Sequence, residues 1–267
     1  LGADRGTETR VSRYDVGGEV FLPPPPRQHQ TLAINTRVLI AACGRHTASG
    51  LPPQATSRRR ARQGIGLKAH FSGLAAPATV ELYFFPGGYV GGGPVEEGLV
   101  NVCLLASYAA FAGQTRRVPE MLAAVARWNP AFERRLRGGL LLPETALAVA
   151  PVDTFRRAAP WAGIPCVGDT AAMIPPLCGD GMAMALRSAE ICAPLADAYL
   201  AGALTRSGWA AAYTNQWQAE FGSRLRVGRT LQRLLAAPGL AEGLLQVGRF
   251  APALVRLLVR STRGPQQ

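Results

Sequence analysis

Short apolar runs separated by glycine and proline organise this chain. Residues 1–35 alternate loosely and hold Pro23-Pro24-Pro25-Pro26, which predicts an exposed hairpin or edge region with a rigid loop; a docking polyproline is the alternative. The run Arg37-Val38-Leu39-Ile40-Ala41-Ala42-Cys43-Gly44 is continuous, short and closed by glycine, as expected of a parallel strand buried on both faces. Alternating segments follow at Gly64 to Phe71 and Thr79 to Phe85. Then come the turn Pro86-Gly87-Gly88, the stretch Tyr89 to Gly93 and the run Val100 to Leu105. Short strands with glycine-rich turns predict an antiparallel sheet.

Residues 119–137 carry the helical stripe Met121, Leu122, Val125, Trp128 and Phe132, with Pro119 near the helix start, where proline is tolerated. An apolar segment spans residues 140–150. Ile164-Pro165-Cys166-Val167-Gly168-Asp169 predicts a second short buried strand, Gly181 to Leu200 a helix, and residues 208–260 further helices interrupted at Pro238-Gly239. A parallel-type strand before the antiparallel sheet and another after it imply one domain inserted in another. The fold class is therefore α/β (α+β).

Composition narrows the classes. The 267 residues are 48% hydrophobic and only 17% charged, enough apolar content for one large domain or two intimate ones. The net charge of +12 is carried almost wholly by arginines. They are scattered, apart from Arg58, Arg59, Arg60 and Arg62, a run that reads first as a solvated loop. With no zinc-finger spacing and no RNA-recognition signature, nucleic acid is not an expected partner. Five cysteines at long spacings without a C-x-x-C argue against a disulfide framework and a zinc site, and for a reducing, cytoplasmic setting. His29, His46 and His70 lie far apart, so no metal site is expected. No secretory leader follows Leu1, and no apolar run approaches the roughly 18 to 20 residues of a membrane span.

The chemistry concentrates in one stretch. Val167-Gly168-Asp169 leads through Pro175-Pro176-Leu177-Cys178 to Gly179-Asp180-Gly181 and the following helix. A buried strand delivers one carboxylate at its C-terminal end, where ligands of open α/β sheets bind. A proline-stiffened loop then enters a helix whose N-terminus offers free N–H groups and partial positive charge. Glycines there allow close approach of a flat ligand.

This order of residues resembles FAD-dependent oxidoreductases of the para-hydroxybenzoate hydroxylase and geranylgeranyl reductase superfamily. The resemblance covers roughly residues 30–205 and implies a partial FAD-binding Rossmann-like domain with an inserted antiparallel substrate domain and C-terminal helices. It divides the chain into residues 1–57 and 151–205 for FAD, 58–150 for substrate, and 206–267 for helices. In such proteins the Gly-Asp aspartate binds the ribityl chain and the Pro-x-x-Gly-x-Gly loop passes beside the flavin ring. Carried over, Gly168 and Asp169 hold the ribityl, and Pro176, Gly179, Asp180 and Gly181 line the flavin. Gly44 and Arg45 match a second nucleotide-contacting motif, in which Cys43 stands at the usual aspartate position.

Two departures matter. The hydroxylase pattern Gly-Asp-Ala-Ala-His, and its asparagine after the second loop glycine, are replaced here by Ala172 and Ala183, closer to the reductase branch. No Gly-x-Gly-x-x-Gly follows a strand, so the resemblance places the phosphate-gripping βαβ unit upstream of Leu1; as it stands, the chain is expected to fold poorly and bind FAD weakly. No residue is singled out as catalytic, although His70, Tyr83 and Tyr89 on the sheet are candidates to touch substrate. The implied activity is a flavin reductase or dehydrogenase acting on an apolar, isoprenoid- or polyketide-like small molecule. An NAD(P)H-dependent monooxygenase is the alternative, and an inactive fragment serving as an interaction module is a third reading. Arginine and leucine at helical spacing over residues 222–260 allow peripheral membrane contact. Helices that bury their leucines and leave their arginines in water are the preferred expectation.

Overall fold

The computed structural model describes residues 13–14, 19–22, 32–45, 63–112, 117–237, 239–253, 256 and 262. The tract Pro23 to Pro26, the cluster Arg58 to Arg62, His29 and His46 lie outside the described residues. Two compact units are present. The first comprises Leu1–Thr56, Arg156–Ile174 and Asp180–Ser223; the second comprises Ser57–Phe155, Pro175–Gly179 and Arg224–Gln267. The C-terminal stretch from residue 206 is thus divided between the two.

In the first unit, β1 (Arg13–Tyr14), β2 (Glu19–Leu22) and β3 (Leu32–Asn35) form a small antiparallel sheet in that order. The segments expected as buried parallel strands do run side by side. Ala41 N–H donates to the Pro165 carbonyl at 2.9 Å, Val167 N–H donates to Ala41 at 2.9 Å, and Ala41 and Cys166 form a parallel bridge. Neither is a full strand, which corrects that expectation. Pro165 has no N–H to extend the ladder. Val38, Leu39 and Ile40 are only half-buried and Ala42 is exposed, so the run is not covered on both faces.

The second unit is built on a five-stranded antiparallel sheet. It contains β4 (Gly64–Ser72), β5 (Glu81–Phe85), β6 (Gly88–Pro94), β7 (Val100–Ser107) and β8 (Leu140–Val152), in the order β5-β6-β7-β4-β8. Alternation drives it: Ile65, Leu67, Ala69 and Phe71 of β4 are buried on one face. They join a core with Met121, Val125 and Phe132 from α1 (Val118–Trp128) and α2 (Pro130–Leu136). A single helix over 119–137 is therefore not what forms. Pro130 begins a new helix, and the Asn129 side chain caps it, accepting from the N–H groups of Ala131 and Phe132, both at 3.0 Å. The apolar segment at 140–150 is the long edge strand β8.

Two longer helices follow the Gly-Asp region. In the first unit α3 (Gly181–Leu200) precedes α4 (Arg206–Ala236), whose Trp209, Tyr213, Trp217 and Phe221 recur every four residues and are buried. Helix α4 ends at Ala236, and α5 (Leu240–Phe250) follows. Not all arginines of this region face water. Arg224 is buried and Arg229 Nε donates to the Thr154 carbonyl at 2.8 Å, so part of the expected solvated face is packed. No described helix is long and apolar enough to cross a membrane.

Candidate functional site

In the first unit, Gly168 turns the chain with φ +58°. Its N–H donates to Ser188 Oγ at 2.8 Å, and Ser188 in turn donates to the Ala185 carbonyl at 2.8 Å. A Cβ on Gly168 would lie 3.1 Å from that of Ala185, so glycine serves both the turn and the close approach of α3. The buried Arg156 guanidinium donates to the carbonyls of Asp169, at 2.6 Å, and Thr170, at 3.0 Å. Thr170 Oγ1 donates to the Gly44 carbonyl at 3.1 Å and lies 3.5 Å from Cys43 Sγ. The two segments singled out in the sequence, Gly44-Arg45 and Gly168-Asp169, are thereby brought together.

Asp169 is half-buried. Burial raises its pKa above the ordinary value, and the positive charges of Arg156 and Arg45 partly offset that rise. No hydrogen bond from the described residues reaches its carboxylate, and Arg156 Nη2 donates to the backbone carbonyls instead. Asp180 precedes α3 and is buried, but its side chain does not cap the helix. Gly181 has no positive φ, and an added Cβ would meet only Ile174 Cγ2, at 3.9 Å. Neither its backbone conformation nor a neighbouring protein atom demands glycine there. The buried thiols are poor nucleophiles: desolvation pushes Cys166 and Cys192 each up to about 11.

In the second unit, Pro176 and Gly179 belong to the short turn Pro176–Cys178 and its left-handed end, Gly179 at φ +69°. Both are exposed, and nothing lies within 4 Å of a Cβ built on Gly179. The same unit has a half-open cleft of about 400 Å³ lined by residues including Tyr89, Ser107, Phe155, Leu177, Gln232 and Arg233. Among the described residues its lining contains no acidic side chain, lysine or histidine. The volume is near the small end of the range for small-molecule sites. Of the sheet residues considered in the sequence, Tyr89 lines this cavity. His70 and Tyr83 are not among its walls, and Tyr83 packs on Phe132 with ring centroids 5.4 Å apart.

No family model matches the chain, and no curated protein does. Solved structures do. The flavin-dependent brominase Bmp2 superposes with a TM-score of 0.72 at 13% identity, over 95% of this chain and 63% of that one. The geranylgeranyl bacteriochlorophyll reductase-like protein of Thermoplasma acidophilum gives 0.64 at 18%, over 84% and 56%. HpxO of Klebsiella pneumoniae, solved with FAD and uric acid, gives 0.63 at 18%, over 96% and 67%. The chain has the fold of these proteins. It spans less than two thirds of the length of Bmp2.

Of the residues lining the cavity, Tyr89 was singled out in the sequence and most others were not. Phe155, Gln232 and Arg233 come from distant positions, and no local pattern marks them. Gly228 left one signal, a glycine inside an arginine- and leucine-rich helix where it is unfavourable. An added Cβ there would lie 2.8 Å from Cys178 Sγ and 3.3 Å from Pro175 Cδ. Its absence lets α4 sit directly on the Pro175–Gly179 loop. Among the described residues no group of three His, Cys, Asp or Glu is placed to hold a metal.

Proposed function

We propose that this chain forms the ribityl-binding and substrate-binding portion of an FAD-dependent oxidoreductase. The observation that carries the reading is the Asp169 carboxylate, half-buried at the end of a glycine turn and unclaimed by any described donor. A ribityl hydroxyl suits it, since a desolvated carboxylate gains most from a donor. Gly44 and Arg45 stand beside the same turn, and Arg45 brings positive charge for an anionic group. The uncapped N-terminus of α3, with Asp180 and Gly181, offers backbone N–H groups to a ligand oxygen. Gly168 fixes the turn. Pro176 and Gly179 are exposed, and nothing lies within 4 Å of a Cβ on Gly179, which suits the role that the resemblance gives them beside a flat ring.

Bound FAD would supply the redox chemistry; the protein supplies position, charge and exclusion of water. The largely apolar cavity of the second unit takes the substrate. Cys43 in place of the motif aspartate, with Ala172 and Ala183, favours a reductase or dehydrogenase over an NAD(P)H-dependent monooxygenase. Oxygen uptake with NADPH distinguishes the two, because only the monooxygenase consumes oxygen in step with substrate.

The test is flavin content. Purified protein should retain or rebind FAD, and Asp169→Ala should lower that affinity about ten-fold or more, as loss of a roughly 1–3 kcal/mol charged hydrogen bond requires. Unchanged affinity in Asp169→Ala removes Asp169 from the site, and protein that never takes up FAD leaves the interaction-module reading. A second reading, peripheral contact with an anionic membrane surface, is favoured by α5, which exposes Leu240, Leu244 and Phe250 beside Arg249. Co-sedimentation with phosphatidylglycerol vesicles, weakening as salt rises, would support it, and protein staying in the supernatant at low salt would exclude it.

A further inference from the structure

Among the described residues, Arg233 is the single ionised side chain in the lining of the second unit's cleft. Its exposed guanidinium lies 5.0 Å from the centre of the Phe155 ring, and this cation–π contact holds it over an apolar wall. No carboxylate among the described residues pairs with it. One turn earlier on α4, Arg229 Nε donates to the Thr154 carbonyl at 2.8 Å. Two cations four residues apart on a helix repel each other, and a bound anion relieves that repulsion. Gln232 adds direction. Its Oε1 accepts from the Thr154 hydroxyl at 3.0 Å, and Thr154 is 1% exposed. That bond leaves Nε2 as the outward end of the amide. Gln232 is half-buried, and its Nε2 has no acceptor among the described residues yet keeps accessible surface. An oriented N–H donor beside a cation, in a wall without acidic groups, suits an anionic oxygen.

We propose that this cleft takes a compact apolar acid, its hydrocarbon body against Phe155 and Leu177 and its carboxylate at the Arg233 guanidinium and the Gln232 amide. This deepens the reading of the cleft as the substrate site and rests on it. The walls fix the chemical class. A volume of about 400 Å³ suits a small molecule. The cation and the amide donor select a negative oxygen, and the lack of acidic side chains leaves nothing to hold a cationic ligand. A neutral ligand of the same shape keeps the apolar contacts and forgoes the charge, so it binds less tightly.

A matched pair of probes tests this: 2-naphthoate and its uncharged amide, 2-naphthamide. Binding of each is measured by calorimetry to the purified chain at low salt, with flavin content recorded separately. The wild type should bind the acid at least about five-fold more tightly than the amide. Arg233→Gln should abolish that preference by weakening the acid alone. Arg137→Gln, at an exposed position outside the cleft lining, should leave it intact, which separates the site from the general positive charge of the chain. Gln232→Glu keeps an acceptor for Thr154 and adds a negative charge, so it should weaken the acid. Equal affinities in the wild type, absence of binding included, overturn the proposal. So does a preference that survives in Arg233→Gln, one that is lost equally in Arg137→Gln, or unchanged affinity for the acid in Gln232→Glu. Protein that binds no flavin yet shows the preference and its loss in Arg233→Gln supports the cleft assignment and counts against the flavin. Flavin-loaded protein with no preference does the reverse.

Discussion

A methyl group on Gly228 would lie 2.8 Å from the sulfur of Cys178. Behind that sulfur the Pro175 ring stands at 3.3 Å from the same point and cannot rotate away. Helix α4 and the Pro175–Gly179 loop are therefore in contact through the absence of a side chain. Alanine has the better helix propensity, worth about 1 kcal/mol. Overpacking a tight contact costs roughly 1–3 kcal/mol. Gly228→Ala should thus lower the denaturant midpoint despite its local advantage, and Gly228→Val should lower it further. An alanine variant more stable than wild type would mean that the loop yields freely to the helix.

The two loop glycines should behave differently. Gly179 adopts φ +69° with open space around it, so a substitution meets strain and no clash. Gly179→Ala should cost about 1–2 kcal/mol, and Gly179→Asn less, because asparagine tolerates the left-handed region. Gly181 lies at the start of α3 without a positive φ, and its nearest neighbour would be 3.9 Å away. Gly181→Ala should be neutral or stabilising by up to about 1 kcal/mol. Urea denaturation of the three variants checks the ranking, and equal losses at 179 and 181 would contradict it.

Which features were legible in the sequence follows from the range of the interactions that make them. The strands of the antiparallel sheet could be read because two-residue alternation is local; β4 was expected over 64–71 and forms over Gly64–Ser72. The Gly-Asp segment could be read because its residues are contiguous. The stripe from Met121 to Phe132 concealed a helix break. Its apolar spacing stays in phase across Asn129-Pro130, so both helices bury the same face. The run Arg37 to Gly44 has the composition of a buried strand, yet its ladder meets proline at 165. The cavity was illegible for another reason: its walls span residues 63 to 237, and only the tertiary fold brings Tyr89 and Gln232 into one lining.

Arg156 holds the Asp169 turn by its backbone. Its buried guanidinium satisfies two consecutive carbonyls, at 2.6 and 3.0 Å. Arg156→Met would keep much of the volume and remove both donors, at a cost of roughly 3 kcal/mol for charged hydrogen bonds in a buried setting. Arg156→Lys should recover only part, since the shorter lysine keeps the charge but does not place a nitrogen where Nη2 gives both bonds. Denaturant midpoints of the two variants decide this; full rescue by lysine would show that charge alone is required.

Asp169 should carry a stability penalty that depends on pH. Burial raises its pKa above the ordinary 3.8, with Arg156 and Arg45 only partly opposing. In the window between the unfolded and folded values the folded chain binds more protons than the unfolded one, so stability falls as pH rises through that window. The penalty is fully present above the folded pKa and absent well below 3.8. Asp169→Asn removes the titrating group while keeping its shape. The variant should therefore be more stable than wild type at neutral pH, and the difference should close as pH falls to the acid side of the ordinary carboxylate range. Urea melts of both proteins across that range measure it. A difference independent of pH would show that the carboxylate titrates alike in both states. The same variant should bind FAD less tightly, because an amide is a weaker acceptor than a carboxylate for the ribityl hydroxyl. Gain of stability with loss of ligand is the pattern of a residue kept for binding; loss of both would instead make Asp169 a structural element of the turn.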